Sequence, residues 1–226
     1  MSEIKPDSRE PASKGTVVDC APETPNLRTV QLIRKVAILL ALLLLVALAA
    51  VSRSSDDMDG NRHETIETIG RVAIIIAIFG RAWCSLYIGG RKKAEIVDRG
   101  PYSISRNPLY VFSFLGAFGV GAQSGTLTIA TLFVLAAVLV FHFTVRREEI
   151  WLDKEFGETY RQYCARTPRF WPNFTRWSDV EELTIRPKFF LLTIRDGLVF
   201  LLAIPVFEMI DFAQILGVLN VFMRLP

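Results

Sequence analysis

The chain has 226 residues, 51% of them apolar, and a formal net charge of +3. So small a basic excess argues against nucleic acid as a partner, and the three cysteines, Cys20, Cys84 and Cys164, are too scattered for a zinc site or a disulfide framework. With only two histidines, His63 and His142, no metal site is expected.

Residues 1–30 are rich in Pro, Ser, Glu and Lys and poor in aromatics, which predicts a disordered tail. The block "VAILLALLLLVALAAV", 36–51, carries no charge. With Leu32 and Ile33 added, and Arg34 and Lys35 snorkelling, it reaches the about 20 apolar residues that a helix needs to cross a bilayer. Small residues in "AAVSRSS" resemble a signal-peptide cleavage point. The block begins, however, beyond a polar tail of about thirty residues and is followed by further apolar blocks, so it reads as a membrane span.

An acidic loop, "SRSSDDMDGNRHETIETIG" at 52–70, precedes a second apolar block, 72–90, which contains Arg81. The basic stretch "GGRKKAEIVDRG" follows. A third block, 108–122, and a fourth, 126–143, are separated only by "QSG", which predicts an antiparallel helical hairpin. "TVRREE" then opens a polar segment reaching about residue 187. The last apolar stretch, 188–223, is interrupted by Arg195, Asp196, Pro205, Glu208 and Asp211. Pro205 predicts a break there, leaving 208–226 either as an extension of the fifth span or as an interfacial helix.

The basic residues fall in alternate loops: before span one, between spans two and three, and between spans four and five. The positive-inside rule therefore puts the N-terminus in the cytoplasm and the C-terminus on the opposite side. The expected fold is an all-α polytopic membrane protein of about five transmembrane helices, with a cytoplasmic amphipathic helix after the 3–4 hairpin. Residues 31–226 form its membrane domain, with a core at 71–172. Arg81 and Asp196 lie at similar depth and are expected to pair, since each unpaired intramembrane charge costs roughly 2.5–3.5 kcal/mol on insertion scales. Gly116, Gly119 and Gly121 would let span three pack closely against a neighbour.

The hairpin brings two polar stretches out side by side at one membrane face. The first is "RGPYSISRNPLY", 99–110. The second, "EEIWLDKEFGETYRQY" at 148–163, reads as a helix with Glu149, Leu152, Phe156, Tyr160 and Tyr163 along one face. Each part has a purely structural reading. Pro101 and Pro108 suit a turn and a first helical turn, and Asn107 suits an N-cap. Tyr102 and Tyr110 suit the membrane interface, and Glu148 and Glu149 the N-terminal end of a helix dipole.

Taken together, "GPYSISRNPLY" and, one hairpin later, "RREEIWLDKEFGETYRQYCARTPRFWP" resemble the isoprenylcysteine carboxyl methyltransferase and phospholipid methyltransferase superfamily. "GRAWC" at 80–84 resembles a further element of that family, and the resemblance covers about residues 71–172. It implies a cytoplasm-facing pocket for S-adenosylmethionine and a lipophilic or lipid-modified acceptor arriving from the membrane. Tyr102, Asn107, Pro108, Leu109 and Tyr110 would contact the cofactor, Ala94, Glu95, Ile96 and Val97 would line it, and Glu149 would hold it from the opposite side. Arg146 or Arg147 would face the acceptor. One departure is evident: Asn107 stands where the family usually has His, and an amide can donate and accept hydrogen bonds but cannot act as a base.

The chemistry of that cofactor suits the same residues. Arg106 can fork onto its carboxylate, Glu148 or Glu149 can accept from its ribose or offset its cationic centre, and tyrosines can face the sulfonium. No base is evident, which favours a carboxylate or thiolate acceptor, or an amine already deprotonated. Two other readings remain: an inactive scaffold of the same fold, and a small transporter marked by its intramembrane charges, although no internal repeat supports the latter.

Overall fold

The computed structural model describes residues 27–54, 61–91 and 94–225. Most of the expected tail, residues 1–26, lies outside the described residues. The elements in chain order are α1 (Leu27–Val51), β1 (Ser52–Ser54), α2 (Asn61–Ile88), α3 (Pro101–Ile104), α4 (Pro108–Ala122), α5 (Leu127–Phe156), α6 (Glu158–Arg166), α7 (Pro187–Leu198), α8 (Ala203–Ile215) and β2 (Met223–Leu225). The protein is an integral membrane protein. Among the described residues, three helical segments are long and apolar enough to cross a bilayer: Asn61–Ile88, Leu127–Phe156 and Pro187–Ile215. Leu39–Val51 and Pro108–Ala122 are apolar but shorter.

The bundle is built around α2 and α4. Gly70, Ala73, Ala77, Gly80 and Cys84 recur at helical spacing on α2 and are all buried. Such a stripe of small side chains lets two backbones approach closely where lipid offers no hydrophobic drive between helices. The glycines of α4 answer it from within the same chain. A Cβ on Gly119 would lie 2.7 Å from the Gly70 carbonyl oxygen, and one on Gly116 would lie 2.7 Å from the Phe200 ring. Gly121 is closed off by α5, where its Cβ would meet the Ala130 backbone at 2.6 Å.

The α4–α5 hairpin forms as expected, and α7 packs on α2. A core cluster of Ile74, Ile78, Val120, Ile129, Phe133 and Phe207 fills the half of the bundle near the hairpin turn. α1 packs on α5 and α8. Its exit strand β1 runs parallel to β2, pairing Ser52 with Met223 and Ser54 with Leu225. Gln214 on α8 donates to the carbonyls of Ala50 and Ser52 at 3.0 and 3.1 Å, fixing the same junction.

Three expectations are corrected. The stretch 148–163 is not one helix: Gly157 adopts φ 53°, a conformation open to glycine, and separates α5 from α6. The C-terminal span does not break at Pro205. It tightens into a 3₁₀ turn at Val199–Leu202, one turn before the proline, where the missing N–H leaves the Leu201 carbonyl without its helical donor. Arg81 and Asp196 do not form an ion pair. Arg81 Nη1 donates to Ser113 Oγ on α4 and its guanidinium lies 5.8 Å from the centre of the Phe200 ring. Asp196 instead accepts from the neighbouring Arg195 at 3.1 Å.

Candidate active site

At the end of the bundle where α2 finishes and α4 begins, the chain folds two remote polar stretches into one wall. Gly100, at φ 55°, is pressed against the Tyr87 ring and donates its N–H to the Ser178 carbonyl at 2.7 Å. Pro101 opens α3 and Pro108 opens α4, both at the first helical turn, where a missing N–H costs nothing. The segment after α6 is bonded along this corner. Arg106 N–H donates to the Pro168 carbonyl at 2.8 Å, Asn173 N–H to that of Ile104 at 2.9 Å, and Ser105 Oγ to that of Phe170 at 3.1 Å. Tyr163 on α6 donates its hydroxyl to the Tyr102 carbonyl at 2.8 Å.

α5 continues past the apolar part of the hairpin and carries Glu148 and Glu149 to the same place. Both glutamates therefore sit late in a long helix, near its negative end. Stabilisation of a helix N-terminus cannot explain them. Glu149 is a hub. Arg169 Nη2 lies 2.8 Å from its Oε2, Arg106 Nη1 lies 3.7 Å from its Oε1, and Asn107 Nδ2 donates to Oε1 at 3.4 Å. Asn107 occupies the N-cap position of α4, but its side chain makes no cap bond; the amide also donates to the Arg169 carbonyl at 3.2 Å.

These groups surround an open cavity of about 740 Å³, counted with its mouth. Of the residues expected at the site, Glu95, Ile96, Val97, Tyr102, Arg106, Asn107, Leu109, Tyr110, Glu148 and Glu149 line it. Ala94 and Pro108 do not, and Arg146 and Arg147 are exposed on α5 outside it. The lining also includes Ile88, Leu152, Tyr160 and Tyr163. Leu152, Tyr160 and Tyr163 belong to the same sequence stripe as Glu149, and that shared periodicity was the signal that could have placed them. Arg169 had no such signal, because it reaches Glu149 from an irregular segment.

The electrostatics separate the ionised groups from the neutral ones. Burial opposes the charge on Arg106, but Cys164, whose sulfur accepts from Nη1 at 2.8 Å, and Glu149 outweigh it and raise its pKa. Arg106 Nε is buried and has no hydrogen-bond partner. Burial pushes the Tyr102, Tyr160 and Tyr163 phenols above their ordinary range, with Cys164 adding to the effect at Tyr160. The cavity thus offers a fixed cation, two carboxylates and neutral phenols, a set suited to a zwitterionic ligand.

A family model described as phospholipid methyltransferase matches residues 66–159, which hold most of the cavity wall. The nickel-cobalt-cadmium resistance protein NccN of Alcaligenes xylosoxydans xylosoxydans is 35% identical over 159 residues, covering 70% of this chain and 74% of that protein. The cobalt-zinc-cadmium resistance protein CzcN of Cupriavidus metallidurans is 36% identical over 153 residues, 68% of this chain and 70% of that one. No solved structure gives a significant match. A glutamate hub closing an asparagine–proline–tyrosine corner thus coincides with the matched segment, and the chain belongs to the phospholipid methyltransferase family of membrane proteins.

Proposed function

We propose that the protein moves a methyl group from S-adenosylmethionine to a lipophilic acceptor reached from the bilayer. The observation that carries this reading is the meeting of Asn107 and Glu149, which closes the cavity from two stretches separated by a whole hairpin. The residues present fit the cofactor. Arg106, with its buried unpartnered Nε, would take the carboxylate. Glu149 and Glu148 would accept from the amino or ribose groups, and the aromatic wall of Tyr102, Tyr110, Tyr160 and Tyr163 would enclose the rest. When bound, S-adenosylmethionine supplies an electrophilic methyl group on a sulfonium.

The protein's own contribution is chiefly positioning, which for an in-line displacement supplies much of the rate. The ion pairs around Glu149 fix the wall before any ligand arrives. Tyr102, Tyr160 and Tyr163, kept neutral by burial, supply no phenolate base, and Tyr163 is oriented by its hydrogen bond to the Tyr102 carbonyl. The acceptor is therefore one that needs no deprotonation in the site: a carboxylate, a thiolate, or an amine already neutral. Arg146 and Arg147, exposed on α5 beside the glutamates, would meet it at the membrane edge. The basic loops on the cavity side support a cytoplasmic location for the site.

Calorimetric titration of the purified protein with S-adenosylmethionine tests the reading. Binding that is lost in Glu149→Ala and in Tyr110→Ala supports it; the absence of binding by the wild type, or full retention in both variants, overturns it. Membranes incubated with a radiolabelled methyl donor then show which fraction gains the label.

The relatives' names add a setting. Both are named for resistance to divalent metals, and we infer that methyl transfer by this protein serves metal tolerance. A deletion strain should be sensitised to cobalt or cadmium and rescued by the wild type but not by Glu149→Gln. Equal rescue by both would separate tolerance from the methyl-transfer site.

A further inference from the structure

At the other end of α2, three metal-ligating side chains converge. His63 and Glu67 stand one helical turn apart on α2, with Nε2 and Oε1 3.2 Å from each other. Asp211 arrives on α8 from far along the chain, and one ligand atom from each of the three lies within 4.8 Å of the others. We propose that His63, Glu67 and Asp211 form a divalent-cation site. It lies at the membrane face opposite the cavity, and its donor set suits zinc, cobalt, nickel or cadmium. The proposal does not rest on the methyl-transfer reading, because 25 residues of α2, or about 37 Å of helix, separate His63 from Ile88 at the cavity.

Four observations carry it. The first is spacing. A tetrahedral ion with ligands about 2.1 Å away holds them about 3.4 Å apart. His63 and Glu67 already have that separation, and Asp211 needs to close by little more than about 1 Å, within the reach of a rotamer adjustment. The second is enclosure. His63 is 5% exposed, and its ring is packed against Gly125, whose φ of 66° keeps the α4–α5 turn clear of it. Any Cβ at Gly125 would overlap the imidazole. The third is charge. Carboxylates from Glu67 and Asp211 converge beside a nearly buried imidazole, and a divalent cation seated between them would gain from both charges. Arg71 approaches Glu67 only to 3.9 Å and is 43% exposed, so it screens the carboxylate weakly. The fourth is the donor set. One imidazole nitrogen with two carboxylate oxygens, and a fourth position open to water, suits borderline divalent ions better than calcium or magnesium, which prefer all-oxygen shells of six or more.

The surroundings hold these ligands in place. Gln123 Nε2, in the hairpin turn, donates to the Glu67 carbonyl at 3.2 Å and to the Gly119 carbonyl at 3.1 Å. An ion at this point would clamp α2 to α8 and, through Gln123, to the hairpin. Sequence spacing could not reveal the set, because its third member comes from a different helix.

The test uses the full chain in detergent micelles, stripped with a chelator and titrated with Co²⁺. The expected result is one equivalent bound with ligand-field absorption of a low-coordinate nitrogen–oxygen site, together with a rise in the unfolding midpoint. His63→Ala, Glu67→Gln and Asp211→Asn should each weaken Co²⁺ binding at least about ten-fold and abolish that rise, while His142→Ala binds as the wild type does. Asp211→Asn preserves shape, and its unfolding in chelator checks that the fold survives; if it does not fold, His63→Gln takes its place. No Co²⁺ uptake by the wild type, or undiminished uptake and stabilisation in the folded variants, overturns the proposal.

Discussion

Asn107 and Glu149 meet at 3.4 Å, amide nitrogen to carboxylate oxygen, although one precedes the membrane hairpin and the other follows it. An anion in place of the amide would face Glu149 directly, so Asn107→Asp should weaken S-adenosylmethionine binding more than ten-fold, since like charges at this distance repel strongly in a partly buried site. Asn107→His keeps a ring N–H donor and should bind within about three-fold of the wild type. Calorimetry on the two variants separates a hydrogen-bonding role from a merely spatial one; equal affinity for both would remove Asn107 from the site.

Arg169 makes the shortest contact to Glu149, 2.8 Å, and lies in an irregular segment outside the matched family region. A double-mutant cycle of Arg169→Ala and Glu149→Ala should return a coupling of about 1–2 kcal/mol in unfolding free energy, the range for a partly buried ion pair with a supporting hydrogen bond. Additive losses would mean that the pair contributes nothing beyond its separate members.

Gly119→Ala places a methyl group 2.7 Å from the Gly70 carbonyl oxygen and 2.7 Å from the Ile74 side chain. Both obstacles belong to a packed helix rather than to a flexible tip. The substitution should cost about 1–3 kcal/mol, the usual penalty for overpacking, and lower the thermal midpoint. Gly217→Ala provides the contrast. Nothing lies within 4 Å of its Cβ position, and its strain comes only from φ 72°, so its effect should be smaller.

The cavity tyrosines give a pH signature. Burial raises the pKa of Tyr102, Tyr160 and Tyr163 above the ordinary 10.0. A phenol with a raised folded pKa adds stability that is complete below the unfolded value and is lost as pH climbs from about 10 towards the folded value. Stability should therefore hold to about pH 10 and fall above it, with tyrosinate absorbance from these three appearing together with loss of ordered packing. Normal titration of all five tyrosines in folded protein would contradict their burial.

The sequence was most informative where one period governs. The α4–α5 turn falls where expected because a mostly apolar stretch of fifteen residues, a three-residue polar turn and another apolar run leave little choice, although α5 continues past the expected end at 143 to Phe156. The corner at 99–110 and the acids at 148–149 could be paired in advance because a hairpin returns its ends to one face. Gly157 was legible as a glycine in a helical pattern, but whether it bent or merely tolerated the helix depends on how α6 packs, which no local pattern encodes. The partner of Arg81 was misread for a related reason. Depth along a helix says nothing about azimuth, and Arg81 makes its close contacts with Ser113 and Phe200, with Asp196 beyond ion-pair distance. Arg169 and the His63–Glu67–Asp211 grouping were invisible because each joins elements that only the tertiary fold brings together.

The parallel pairing of Ser52–Ser54 with Met223–Leu225 has a consequence for biogenesis. α1 leaves the ribosome before α2, yet its exit strand is completed by residues translated after every other helix of the bundle. The pairing that closes the end of α1 can therefore form only once α8 and the residues after it have been made, so this junction closes late in the assembly of the described fold.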